Sequence, residues 1–112
     1  MLQKLNDMFL GTATGIFDST GAVEVIIGPI RARESWRINQ LVTRTTSTTP
    51  TQLFVRRYNV SGPRLDYTAR ANNDVSDCDY DVPAGQKLSF QWTGGTVGTI
   101  ATCDIDGERY GV

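Results

Sequence analysis

The clearest alternation of apolar and polar residues runs from Val82 to Cys103. Pro83-Ala84-Gly85 opens it as a turn, because Pro presets its own φ and Gly accepts a positive φ without steric cost. Leu88, Phe90 and Trp92 then alternate with Ser89, Gln91 and Thr93. That period of two predicts a half-buried strand. Gly94-Gly95 interrupts it. A second strand is expected beyond, with Val97, Thr99, Ala101 and Cys103 on one face and Ile100 and Thr102 on the other. Being neighbours in sequence, the two strands predict a hairpin.

The first ten residues follow a different rhythm. Leu2, Leu5, Met8 and Phe9 fall at helical spacing and precede Gly11. They predict a short amphipathic helix, which alone would be marginal in water. Its apolar stripe therefore has to dock, on its own domain or on a neighbouring subunit, the alternative being a disordered terminus. These four residues are the candidate assembly residues, and residues 1–11 are expected to form a helical or extended arm.

From Thr12 onward the pattern is that of strands. Thr12 to Phe17 and Ala22 to Gly28 flank the turn cluster Asp18-Ser19-Thr20-Gly21, predicting another hairpin that Pro29 ends. Ser35 to Thr43 is expected to point Trp36, Ile38 and Val42 inward. The polar run from Thr43 to Thr51 disfavours continued pairing. Gln52 to Val60 carries Leu53 and Val55 on one face, Phe54 and Tyr58 on the other. A short strand is expected around Leu65 to Tyr67. Cys78, Tyr80 and Val82 alternate with Asp77, Asp79 and Asp81 in the next. Asp106-Gly107 predicts a last hairpin turn, with Glu108 to Val112 returning as an edge. Seven or eight short strands separated by turns predict an all-β sandwich, with jelly-roll-like connections as one arrangement, spanning residues 12–112 as a single domain.

Composition narrows the function. The chain has 112 residues, 11 Lys+Arg against 12 Asp+Glu, and no histidine. Without histidine, the commonest general base and the commonest metal ligand are missing. No Ser lies in a Gly-flanked elbow, and no Gly-rich phosphate loop or Cys/His metal spacing is present. No catalytic residue and no cofactor is assigned, and the chain is not expected to be an enzyme. A sequence pI near 5.2 opposes a nucleic-acid partner despite Arg31, Arg33, Arg37, Arg56 and Arg57. No apolar run approaches the about 20 residues of a membrane helix, so no membrane insertion is expected, and no secretory leader is expected either.

Three sets of residues remain as candidate chemistry. Asp77, Asp79 and Asp81 begin like a calcium loop, but Val82 stands where Gly is needed and Leu88 where the bidentate Glu belongs. The simpler account is the outward face of a half-exposed strand, so no metal is expected. Trp92, ending its strand beside Gly94-Gly95, is the candidate for stacking on a ligand such as a sugar. Cys78 and Cys103 are expected to be buried free thiols, with a bridge between them as the alternative.

Several of these segments occur together in one order: Ile27-Gly28-Pro29, Ser35-Trp36-Arg37-Ile38, the Thr/Ser run at 45–49, Asp77, Pro83-Ala84-Gly85-Gln86 and Gln91-Trp92-Thr93-Gly94-Gly95. In that order, over residues 11–105, the chain resembles the small β proteins of tailed bacteriophage virions. These are best represented among phages of actinobacteria and commonly labelled minor tail proteins. The resemblance implies a non-enzymatic virion structural protein of the tail or tail tip, assembled in the bacterial cytoplasm. Its partners would be other virion proteins and further copies of itself, with a host-surface glycan as an additional one. Capsid decoration, or a carbohydrate-binding module contacting the host envelope, are the alternatives.

Overall fold

The computed structural model describes residues 3–6, 9–29, 32–58 and 64–111, and every regular element among them is a strand. In chain order these are β1 (Gln3–Asn6), β2 (Phe9–Ile16), β3 (Val23–Ile27), β4 (Ser35–Thr45), β5 (Gln52–Arg57), β6 (Asp66–Thr68), β7 (Asn73–Val82), β8 (Leu88–Thr93) and β9 (Ile100–Gly111).

The pairing is nested. β2 pairs with β9, β3 with β8, β4 with β7, and β5 with β6, all antiparallel. That is one long hairpin folded between β5 and β6. Rolling it up adds two further pairings, β4 with β9 and β5 with β8. The result is two sheets, β2-β9-β4-β7 and β3-β8-β5-β6, with β1 extending the β2 edge along β9. This is the double-sheet jelly roll, a β-sandwich with Greek-key connections. We call the first the long-strand sheet and the second the short-strand sheet.

Period-two patterning places the core between them. β8 is buried at Leu88, Phe90 and Trp92, and β5 at Leu53 and Val55. The facing sheet contributes Trp36, Ile38 and Leu41 from β4 and Ala101, Cys103 and Ile105 from β9. Phe90 and Trp92 share one face of β8 with ring centroids 6.1 Å apart. Burying each such large apolar side chain stabilises the fold by about 1.5–3 kcal/mol.

The nested pairing overturns three local expectations. β8 and β9 lie in opposite sheets and make no hairpin, nor do β2 and β3. A sandwich connection carries each chain segment over the end of the core, so the turn at Asp18-Ser19-Thr20-Gly21, closed by the Gly21 N–H on the Asp18 carbonyl at 3.0 Å, joins strands of opposite sheets, with a side chain plugging the core beside it. Phe17 is that plug. It is buried, its N–H bonds to the Thr99 carbonyl at 2.9 Å, and its carbonyl accepts from Gly98 at 3.0 Å. Gly21 turns the chain at φ 77°, while its carbonyl accepts the Gly95 N–H at 2.9 Å. Asp106-Gly107 is not a turn either. Both residues lie inside β9, beside a bulge at Asn39 where β4 shifts register against both neighbours. A Cβ on Gly107 would stand 2.1 Å from the Arg37 carbonyl oxygen, so glycine here admits the bulge.

Among the described N-terminal residues, Gln3–Asn6 and those from Phe9 onward are strand and not helix. Gln3–Asn6 pairs with Tyr110 and its neighbours in β9, and β2 begins at Phe9, so the expected arm boundary after residue 11 falls within a strand. A ten-residue helix satisfies few backbone groups, whereas the long open edge of β9 offers a partner at each pair of residues. Leu2 and Met8 lie outside the described residues. β5 ends at Arg57, and Val60 likewise lies outside them.

Candidate functional site

The aspartate run lies where a half-exposed strand would put it. β7 alternates so that Asp77, Asp79 and Asp81 face outward and Asp74, Ser76, Cys78, Tyr80 and Val82 face inward. Two of the outward acids are engaged laterally. Arg37 reaches Asp79 with Nε and Nη2 at 2.9 and 3.0 Å, and Gln40 donates to Asp77 at 3.3 Å. This pairing, with Asp79 first and Asp81 behind it, pushes the Arg37 guanidinium up from its ordinary value. Further along the face, Asp104 accepts from Thr12 at 2.6 Å and from Arg44 at 2.7 Å. The outer face of the long-strand sheet is thus a lattice in which acids meet donors. Among the described residues, no group of three His, Cys, Asp or Glu is placed to hold a metal ion.

At one end of the sandwich, β4, β7 and β9 frame an open groove of about 580 Å³. Trp36, Val82 and Pro83 line it, with Arg33, Arg37 and Asp81 around it. Beneath lies a buried carboxylate, Glu34, which accepts the Trp36 indole N–H at 2.9 Å and stands 3.7 Å from Arg109 Nε. Its place in the sequence, two residues before a strand tryptophan, gives no sign of burial.

The opposite end is tied by hydroxyls and one amide. Ser47 Oγ accepts the Thr96 N–H at 3.0 Å, and Thr49 Oγ1 donates to the Gly94 carbonyl at 2.7 Å. Asn72 donates to the Thr49 carbonyl at 2.8 Å and accepts the Thr51 N–H at 2.9 Å. The Ser/Thr run therefore fastens three crossing loops to one another. Beside it sit three exposed apolar side chains. Ile16 and Ile100 are cross-strand partners, 65% and 44% exposed, and Val97 in the adjoining loop is 61% exposed.

The outer face of the short-strand sheet is built differently. Outward positions alternate as Phe54 and Arg56 on β5, Ser89 and Gln91 on β8, and Glu24 and Ile26 on β3. Phe54 pairs with Tyr67 of β6, with ring centroids 5.1 Å apart. Arg64 lies over both rings, its guanidinium carbon 5.0 Å from the Phe54 centroid and 5.3 Å from that of Tyr67. Glu24 accepts from Ser89 at 2.6 Å and from Gln91 at 3.0 Å. Those bonds, Ser89 first, hold the Glu24 carboxyl below its ordinary value.

Trp92 is corrected by its burial. It is 1% exposed, locked between the sheets, and presents no face to a ligand. Its place beside Gly94-Gly95 was the signal for exposure, but the same alternation that buries Leu88 and Phe90 buries it too. Both cysteines are free. Burial raises the Cys78 thiol to about 11 and the Cys103 thiol to about 12, so both stay protonated near neutrality. Leu5 and Phe9 are strand residues by backbone, in β1 and β2. The aromatic pair Phe54 and Tyr67 was legible as outward-facing only for Phe54. Its partnership with Tyr67 and Arg64 depends on β6 returning beside β5.

No family model matches the chain, and no curated protein matches it. Among solved structures, it is similar to a mitogen derived from Yersinia pseudotuberculosis, with a TM-score of 0.54 and 17% identity over 87% of this chain and 84% of that one. It also aligns with a structure of infectious bursal disease virus, Gx strain, at a TM-score of 0.44 and 12% identity. That alignment covers 98% of this chain and 31% of that one. At such identity the first likeness shows the fold alone, and the second, at its score, carries no argument.

Proposed function

We propose that this chain is a non-enzymatic structural subunit of a bacteriophage virion. In this reading it is a minor tail or tail-tip component, assembled in the bacterial cytoplasm against other virion subunits and further copies of itself. The observation that carries the reading is the apolar end formed by Ile16, Val97 and Ile100. Large side chains exposed together at one end, rimmed by Thr48, Thr96 and their hydroxyl network, have the make-up of a protein contact. Two further points support it. The nested jelly roll is an architecture that virion proteins use repeatedly, an analogy at the level of fold. The ordered segments from Ile27-Gly28-Pro29 to Gln91-Trp92-Thr93-Gly94-Gly95, which carry the resemblance to phage tail proteins, fall on its strands and crossings.

The test is mass spectrometry of purified particles with immunogold labelling against this chain. Label on the tail supports the tail reading, label on the head gives a capsid decoration role instead, and absence from particles overturns both. Ile16→Lys and Ile100→Lys should fold with little change in melting temperature, because both sites are exposed. Each should be lost from particles.

A further inference from the structure

The outer face of the short-strand sheet holds two arginines, Arg56 and Arg64, that make no ion pair among the described residues. On the other sheet, Arg37 and Arg44 each have a carboxylate within 3.0 Å. The difference matters because the chain has acids to spare, with 12 against 11 cations. Arg64 is also not loose. Its guanidinium carbon lies 5.0 Å from the Phe54 centroid and 5.3 Å from that of Tyr67, an arrangement in which ring faces attract the cation. A cation held by ring faces spends no N–H donor on them, and those donors are what grip a carboxylate with two parallel bonds.

Around this fixed donor the sheet presents what a flat polar ring needs. Tyr67 is 45% exposed, giving an aromatic surface beside the guanidinium. Arg56 follows Phe54 by two residues on the same face, roughly 7 Å along the strand. Gln91 and the Glu24 carboxylate, already ordered by Ser89, lie across the adjacent strands. An aromatic edge, an amide, a carboxylate and two cations on a rigid sheet match a ligand with hydroxyls, an apolar ring face and an anionic group.

We infer that this face binds an acidic saccharide, with Arg64 gripping a sugar carboxylate, Tyr67 packing on the ring, and Arg56 and Gln91 meeting neighbouring oxygens. The charge of the occupant follows from the unpaired cations. Its saccharide nature follows from the mixture of ring surface and hydrogen-bonding groups in one plane. A nucleic acid, the other polyanion that stacks on aromatics, would meet a molecule whose second face is lined with aspartates.

The probe is oligogalacturonate, measured by calorimetry against the intact chain, with its methyl ester as the uncharged match and oligothymidylate as the nucleic-acid control. Binding of oligogalacturonate alone is expected. Arg64→Gln and Tyr67→Ala should each weaken it about tenfold or more, with melting temperatures unchanged. Arg37→Gln, on the other sheet, should leave it intact. Equal binding of the methyl ester, stronger binding of oligothymidylate, or binding that survives both substitutions would overturn the inference, as would no binding at all. These outcomes are independent of whether the chain is found in particles.

Discussion

The two sheets share one core but turn opposite kinds of surface outward. On the long-strand sheet, charged side chains are paired: Arg37 with Asp79, Arg44 with Asp104, and Gln40 with Asp77. On the short-strand sheet, Arg64 rests on Phe54 and Tyr67, and its charge is left for solvent. The pairs of the first sheet come from long strands running side by side, so that residues of opposite charge meet across the ladder. β6 has only three residues, Asp66–Thr68, and cannot supply such a row. A face that satisfies its own charges is finished, while one that does not remains available to a ligand.

The largest test concerns what the faces have in common. Phe90→Ala in one sheet and Ile105→Ala in the other should each cost about 2–5 kcal/mol, since both side chains are fully buried. Denaturant titration would read the loss. A change within about 0.5 kcal/mol at either site would mean that its sheet does not contribute to the shared core.

Next comes the charge buried beneath the long-strand sheet. Glu34→Ala removes the acceptor of the Trp36 indole and the carboxylate beside Arg109. It should destabilise the fold by about 1–3 kcal/mol, as expected when the buried Trp36 indole N–H is left without its acceptor. A change within about 0.5 kcal/mol, the range of an ordinary surface substitution, would show that water takes over both roles.

The comparison itself is sharpened by a matched pair of surface variants. Asp104→Ala deprives both Thr12 and Arg44 of their acceptor and should cost about 1 kcal/mol. Arg64→Gln should stay within about 0.5 kcal/mol, because its partners among the described residues are two rings at the surface, the half-buried Phe54 and the exposed Tyr67. Equal costs would erase the distinction between a finished face and an open one.

The smallest effect is a pH dependence on the open face. The Glu24 carboxyl titrates below its ordinary value of 4.5 when folded, through the Ser89 and Gln91 bonds. A lowered carboxyl adds stability above its unfolded pKa and loses it as pH falls through the folded one. Wild type should therefore lose slightly more stability on acidification below 4.5 than Glu24→Gln does. The site is largely exposed, so the difference should be small, and parallel melting curves would show that the bonds contribute nothing.

Much of this was legible along the chain. Period-two alternation placed Leu88 and Phe90 inward, sent Asp77, Asp79 and Asp81 outward, and set Leu53 and Val55 against Phe54 on β5. Those assignments are local, because successive side chains of any strand point to opposite faces. The sandwich class follows from the same alternation, since two apolar sheet faces must cover each other. Strand partnership is another matter. β2 finds β9 across almost the whole chain, and β3 finds β8, because a rolled hairpin closes the core with both ends of the sequence. No turn residue encodes that choice. It is why Asp18-Ser19-Thr20-Gly21 and Gly94-Gly95 became crossings, why Asp106-Gly107 stayed within a strand, and why Gln3–Asn6 became an edge strand. It also assembled the site. Phe54, Arg64 and Tyr67 are scattered in sequence, and only the return of β6 beside β5 brings a guanidinium to rest over two rings.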